Sequence, residues 1–371
     1  DDVAAVTAAL RSDFLTTGPL VEAFETAFAA RTGAKFAIAC SNATTGLHLA
    51  MAVLKVGPGA SIIVPSTTFL STANCGRFVG ADVVFADVDP DSGLMTAETL
   101  HAALGRAGGK AAAILPVHLR GDVVDLPAIR RLADAAGAAV VEDAAHAVGS
   151  AADFGLGREA VGSGLHSDMA VFSFHPVKTI ATGEGGMVTT NDAALAARLK
   201  ALRSHAMERP ADADPWVYEV NDLGFNYRLP DINCALGLSQ LGKLDRFVAR
   251  RTALADRYRA LLAPLAQIVK VSESPAWSRP ALHLLTVLID FEAAGVSRRE
   301  VVERLKAVGV GSQVHYIPVH TQPYYRVLSP GLSLPGAEAW YARALSLPLF
   351  PGMNDDDPDR VVAALSKAMR P

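Results

Sequence analysis

The sequence predicts an α/β protein with a mostly parallel central sheet flanked by helices, followed by a smaller α+β domain. Three observations predict it. Over the N-terminal two-thirds, short apolar, often β-branched runs alternate with helical patterns, as strands buried between two helix layers do. Farther on, strand and helix patterns follow in no strict alternation, which suits a small α+β unit. The 371 residues also exceed what one hydrophobic core holds. The expected domains are residues 1–245 and 246–371.

Each element has its own pattern. Phe36-Ala-Ile-Ala39 is a strand and Thr45 to Leu54 a helix. Ser61-Ile-Ile-Val64 is a strand and Leu70 to Val79 a helix. Val83 to Ala86, Ala112 to Leu115 and Ala138 to Val141 are further buried strands, the last two separated by a helix from Leu126 to Ala136. Met169 to Phe174 and Met187 to Thr190 then meet around a turn, a departure from simple βα alternation. Met207 to Arg228, polar and holding Pro210 and Pro215, is an irregular excursion. Leu229 opens a long helical pattern reaching Leu262, with Pro230 suited to a first turn. Beyond it come a strand from Leu282 to Phe291, a helix from Ser297 to Val308, a strand from Val314 to Ile317 and a closing helix from Asp359 to Met369.

Bulk properties exclude several functions. A net charge of −4 with scattered lysines and arginines offers no polyanion surface, so no nucleic acid is expected. No apolar run approaches the ~20 residues of a membrane span. The N-terminal stretch has no basic segment followed by an apolar core. Three widely spaced cysteines, Cys40, Cys75 and Cys234, make neither a disulfide framework nor a zinc knuckle. A cytoplasmic location is the expectation.

The chemistry gathers around Lys178. Of nine lysines it alone follows an apolar strand, Asp168-Met-Ala-Val-Phe-Ser-Phe174, and precedes Thr182-Gly-Glu-Gly-Gly186. A partly desolvated amine there has a lowered pKa and is nucleophilic. Asp143 ends a strand, where ligands gather in open α/β sheets. A buried carboxylate and a reactive lysine are what pyridoxal 5′-phosphate needs: one to keep the ring nitrogen protonated, one to hold the cofactor covalently. Glu142 points to the other face and is structural. His146, three residues after Asp143, is either a packing residue or a donor to the cofactor's phenolic oxygen. Ser41-Asn-Ala-Thr-Thr45 runs from strand into helix, an anion site or an ordinary cap, with hydroxyls on Thr44 and Thr45. Ser173 is a second phosphate candidate, and Phe69 could stack on a planar ring. Gly155-Leu-Gly-Arg-Glu-Ala160 meets a relaxed dinucleotide fingerprint but lacks its βαβ context and reads as a loop. His315 and His320, five apart around a proline, suit structure or substrate contact better than a metal.

Together, Asp143-Ala-Ala-His146, Ser173-Phe-His-Pro-Val-Lys178 and Thr182-Gly-Glu-Gly-Gly186 resemble the DegT/DnrJ/EryC1/StrS family of sugar aminotransferases. Leu15 to Phe24 and Gly224-Phe-Asn-Tyr-Arg-Leu229 resemble further motifs of that family, so the likeness runs nearly end to end. It implies the fold-type I architecture, a homodimer with shared active sites, and L-glutamate as amino donor. It implies Lys178 as the cofactor lysine, Asp143 as partner of the ring nitrogen, and His146 at the phenolic oxygen. Thr44 and Ser173 fall at phosphate positions, and Asn226 matches a residue reaching the phosphate from the neighbouring subunit. Arg228 is the candidate for the donor carboxylate.

Within the family, His146, Phe174 to Lys178, Val314-His-Tyr-Ile-Pro-Val-His-Thr-Gln-Pro-Tyr-Tyr325 and Leu345 to Met353 look most like the pseudaminic-acid branch. That likeness implies a UDP-linked 4-keto-6-deoxy-N-acetylhexosamine aminated at C4, with His315, Tyr316 and His320 toward the substrate. Ala43, Gly46, Ala181 and the loop from Asp153 to Ser167 depart from the usual pattern. Another nucleotide-linked keto sugar, of the 4-amino-arabinose or perosamine type, and a non-catalytic sensor on the same fold are the alternatives.

Overall fold

The structure, a computed structural model, describes every residue except Leu156 and Pro371. Helices α1 (Asp2–Leu10) and α2 (Pro19–Thr32) lead to strand β1 (Phe36–Cys40). Pro19 opens α2 and Gly33 closes it at φ 78°, where a residue without Cβ is unstrained. Strand and helix then alternate: α3 (Ala43–Val53), β2 (Ser61–Pro65), α4 (Leu70–Phe78), β3 (Asp82–Ala86), α5 (Ala97–Arg106), β4 (Ala113–Ile114), α6 (Leu126–Ala136), β5 (Ala139–Asp143). A small antiparallel pair follows, β6 (Ala151–Asp153) and β7 (Arg158–Ala160). Next come β8 (Met169–Ser173), β9 (Gly186–Thr190) and α7 (Ala193–Arg203).

The central sheet has seven strands in the order β1-β9-β8-β5-β4-β2-β3. β9 runs antiparallel to both its neighbours, and the other pairs are parallel. Successive residues of one strand enter opposite cores. Val140, Phe172 and Ile63 join Phe24, Phe28 and Phe174 on one face. Val141, Val171 and Ile62 join Ile38, Leu49 and Met51 on the other. Burial on both faces is why these strands are continuous apolar runs rather than alternating ones.

The polar excursion after α7 contains a two-stranded arm, β10 (Met207–Glu208) and β11 (Glu219–Val220). The long helical pattern from Leu229 to Leu262 is two helices, α8 (Asp231–Leu241) and α9 (Leu244–Leu262). The break falls at Gly242-Lys243, because α8 packs on α1 and α2 while α9 turns away to a third core. Pro230 stands just outside α8 at its cap position.

That third core holds Leu254, Tyr258, Val287, Val301, Leu345 and Leu365. It lies between α9 and the antiparallel sheet β12 (Val269–Val271), β14 (Leu285–Ile289) and β15 (Ala344–Leu347), with α10 (Arg298–Ala307) and α13 (Asp357–Ala368). Strand β13 (Ser278–Arg279) pairs with β6. Between α10 and β15 lie the short α11 (Pro323–Leu328) and α12 (Pro335–Arg343). The chain from Val319 through these helices returns to the large sheet, burying Val319, Tyr325 and Ala337 in one of its cores and Trp340 in the other.

Two expectations are corrected. Val314 to Ile317 is not a strand: only Gln313 bridges Ser346 of β15 before the chain leaves the sheet edge. The segment from Gly155 to Ala160 is not all loop, since Arg158–Ala160 pairs with β6; Leu156 within it lies outside the described residues.

The glycines after Lys178 serve close approach. A Cβ on Gly186 would sit 2.6 Å from the Asn42 carbonyl carbon and 2.8 Å from the Ala43 nitrogen. Strand β9 thus presses against the first turn of α3. Gly186→Ala should destabilise the fold by about 1–3 kcal/mol through overpacking against rigid backbone, read as a lower denaturant midpoint at unchanged slope.

Candidate active site

Asp143 and Lys178 are placed by neighbouring parallel strands. Asp143 is the last residue of β5, which pairs with β8, and Lys178 sits in the turn that follows β8. The Lys178 amide donates to the His175 carbonyl at 2.8 Å, fixing that turn. The Asp143 carboxylate, 5 % exposed, accepts from Thr72 Oγ1 at 2.6 Å and from the Ala145 amide at 3.1 Å. Thr72 in turn meets Thr68 Oγ1 at 2.7 Å.

The Lys178 amine is half-buried. Burial pushes it down to about 8, against the opposing pull of the Asp143 carboxylate. Among the described residues no ion pair forms between them, although the carboxylate's charge acts on the amine, so the two charges stay apart. Glu142, adjacent in β5, points away. It lies 2.7 Å from His118 Nε2 and accepts from Ser167.

Three imidazoles lie within reach of the amine's charge, and a phenol within reach of the Asp143 carboxylate's. His146 Nδ1 accepts from the Arg120 amide at 3.2 Å, and its Nε2 lies 3.1 Å from the Tyr316 hydroxyl. The rings of His146 and Tyr316 stack at 6.1 Å, and the His283 ring lies 4.6 Å from His146. His315 Nδ1 lies 2.8 Å from Ser346 Oγ. Burial first, and then the Lys178 charge, drives His146 and His283 well below the usual range and His315 down to about 4. All three are therefore neutral near pH 7. Burial and the Asp143 carboxylate push the Tyr316 phenol up, so it stays protonated.

A helix N-terminus supplies an anion site. α3 begins beside β9, and its first amides have no intrahelical acceptor. Asn42 caps it, accepting from the Thr45 amide at 2.9 Å. The Thr45 hydroxyl is spent in that cap, 2.8 Å from the Asn42 carbonyl. Thr44 Oγ1 lies 2.6 Å from Ser71 Oγ of α4. Ser173, buried at the end of β8, accepts weakly from the His175 amide. Phe69 is exposed, its ring 6.1 Å from Tyr316.

Three expected residues stand apart. Asn226 and Arg228 alternate with Phe225, Tyr227 and Leu229, which pack into the cores. Asn226 is left exposed and Arg228 half-buried, and no hydrogen bond joins either to the Asp143–Lys178 cluster among the described residues. His320 is 2.7 Å from Ser66 Oγ through Nδ1 and 3.5 Å from Glu338 through Nε2. Both its nitrogens are engaged within the fold. A cleft of about 1010 Å³ lined by Asp89, Glu98, Arg259, Lys270 and Trp277 lies elsewhere.

Sequence reading missed Thr72, Ser71, His283 and Arg120. The two hydroxyls lie on a helix face with no distinguishing pattern. His283 sits in the apolar run Ala281-Leu-His-Leu-Leu285, which reads as core.

The chain belongs to the DegT/DnrJ/EryC1/StrS aminotransferase family, whose model matches residues 1–366. It is a pyridoxal-phosphate-dependent sugar aminotransferase of fold-type I. It is similar to DesV of S. venezuelae, with 33 % identity, TM-score 0.88, and coverage of 100 % of this chain and 94 % of that one. It is similar to Helicobacter pylori PseC, an aminotransferase involved in pseudoaminic acid biosynthesis, with 28 % identity, TM-score 0.88, and 99 % and 96 % coverage. A sugar aminotransferase described as putative, Spr1654 of Streptococcus pneumoniae, solved in its PLP form, matches at 26 % identity and TM-score 0.88, with 99 % and 95 % coverage.

The residues present fit the cofactor. A buried carboxylate suits a protonated ring nitrogen, a half-buried amine suits an aldehyde, and the start of α3 suits a phosphate. The amine sets the pH dependence. Below about 8 it is mainly protonated and unreactive. The rate at which cofactor-free protein captures pyridoxal phosphate should rise with pH and level off just above 8. An ordinary lysine would climb to about 10.4. Stopped-flow absorbance measures this.

Proposed function

We propose that the chain transfers the amino group of L-glutamate to C4 of a UDP-linked 4-keto-6-deoxy-N-acetylhexosamine. The observation that carries the reading is a half-buried Lys178 amine and a buried Asp143 carboxylate set by neighbouring strands, close enough for the carboxylate's charge to act on the amine without an ion pair. When bound, the cofactor supplies an electron sink for the carbon that loses or gains a proton. Lys178 attaches it and, as a neutral amine, is the base that moves a proton at Cα of the donor and at C4 of the sugar. Asp143, its charge held by Thr72 and Ala145, pairs with the ring nitrogen. His146 lies on the side of the phenolic oxygen, its ring nitrogens engaged by the Arg120 amide and the Tyr316 hydroxyl, and Phe69 flanks the ring. The start of α3, with Thr44, Thr45 and Ser173, holds the phosphate. Because the Thr45 hydroxyl is committed to the cap, its share is made through the backbone.

Residues 1–245 form the cofactor-binding domain in this reading and 246–371 the small domain. A cytoplasmic homodimer shares its sites, with Asn226 serving the neighbouring subunit's phosphate and Arg228 the donor carboxylate. The arm around β10 and β11 supports that assembly. It exposes Trp216 at 74 % and Leu223 at 81 %, apolar area that a second copy would cover. His315 and Tyr316 face the sugar. His320 is a strut that anchors their segment to the end of β2 through Ser66. The choice of sugar is supported by the Val314–Tyr325 segment and by the likeness to PseC.

Lys178→Ala should lower turnover by at least about 10²–10⁴-fold, the worth of a positioned base. Borohydride reduction of the loaded protein should label the peptide containing Lys178, and a label on another lysine would overturn the assignment. A panel of UDP- and dTDP-linked 4-keto sugars, with glutamate as donor and products read by mass spectrometry, should favour the UDP-linked N-acetylhexosamine. A preference for a keto-arabinose or keto-perosamine precursor would reassign the substrate.

A further inference from the structure

A closed circuit of contacts joins Arg120 to the Lys178 cluster by two routes. Arg120 is 2 % exposed and sits at φ 65° in the turn after β4. By the first route its amide donates to His146 Nδ1, and His146 Nε2 meets the Tyr316 hydroxyl. By the second, its guanidinium lies over the Trp340 ring at 5.5 Å. The Trp340 indole N–H donates at 2.9 Å to the carbonyl of His315, the residue next to Tyr316. Asp122 at 2.6 Å balances the guanidinium charge. Arg120 Nη1 donates to the Ser272 carbonyl at 3.1 Å and Nη2 to the Glu273 carbonyl at 3.4 Å, while Nε has no partner among the described residues.

The circuit fixes where protons lie. A backbone amide only donates, so His146 Nδ1 carries no proton. The ring is neutral, because burial and Lys178 disfavour its charged form. Its one proton is therefore on Nε2 and is donated to the Tyr316 oxygen. The hydroxyl proton of Tyr316 is left over, and it has no acceptor among the described hydrogen bonds.

We propose that Arg120 is a positioning residue, which locks His146 and Tyr316 so that the phenol of Tyr316 donates its proton toward the Lys178–Asp143 site. The inference rests on the proposed function and adds a donor to it. Arg120 itself touches neither substrate nor cofactor. It acts from one side through a backbone amide and from the other through Trp340.

The test uses the holoenzyme and reads the pH midpoint of the visible absorbance of the Lys178-linked cofactor. Lys178, Asp143, His283 and His315 are the other titratable groups facing the pair. Arg120→Met and Tyr316→Phe should each move the midpoint by about half a unit or more. The double variant should match Tyr316→Phe alone, because both changes act through one phenol. Trp340→Phe removes the indole N–H and keeps the buried Arg120–Asp122 pair. It should shift the midpoint in the same direction as Arg120→Met, and it stands in for Arg120→Met if that variant does not fold. Additive shifts, or an unmoved midpoint in either folded variant, overturn the proposal. Wild-type protein that forms no Lys178-linked cofactor overturns the proposed function, and this inference with it.

Discussion

An uncompensated pair of charges organises this molecule. The Asp143 carboxylate is buried at the end of one strand, and the Lys178 amine is half-buried in the turn after the neighbouring strand. Removing either from water is costly without a partner, yet they do not close into an ion pair. Local hydrogen bonds carry the cost instead. Thr72 and the Ala145 amide satisfy the carboxylate, and burial lowers the amine to about 8, so that it gives up its proton more readily than an ordinary lysine. A site kept in this condition accepts a group that is cationic at one end and electrophilic at the other.

The rest of the architecture keeps that arrangement in place. Two cores clamp the sheet from both faces, so β5 and β8 cannot slide against each other. The antiparallel β9 lets the chain return at once beneath the start of α3, with Gly186 making the approach possible. The anion-binding helix end and the lysine turn are thus set by one hairpin. The C-terminal part supplies His283, His315 and Tyr316, none of them close to Lys178 in sequence. Because burial, and then the lysine charge, disfavours the charged forms of His146, His283 and His315, these histidines serve as neutral hydrogen-bonding groups.

Much of this was legible in the sequence. Strands β1 to β5, β8 and β9 announced themselves because burial on both faces leaves continuous apolar runs. Lys178 and Asp143 stood out because a charged residue at the end of such a run is costly unless used. The helix from Ser297 was legible as a helical pattern, and the structure adds its cap, a reciprocal Ser297–Glu300 pair. The break between α8 and α9 was not, since the helical period continues across Gly242 and only packing against different cores separates the two halves. Nor was the irregular course of His315 and Tyr316, whose apolar, β-branched surroundings resemble a strand.

By itself, then, the sequence determined the sheet, the lysine turn and the carboxylate, because each is written in a contiguous pattern of burial, capping or turn residues. Tertiary structure alone decided which hydroxyl holds Asp143, which nitrogen of His146 bears the proton, and that His320 is committed to Ser66 while Tyr316 is not. Those outcomes depend on distances between residues up to 254 positions apart. Hydrogen-bond direction and desolvation act through space, and no local pattern along the chain records them.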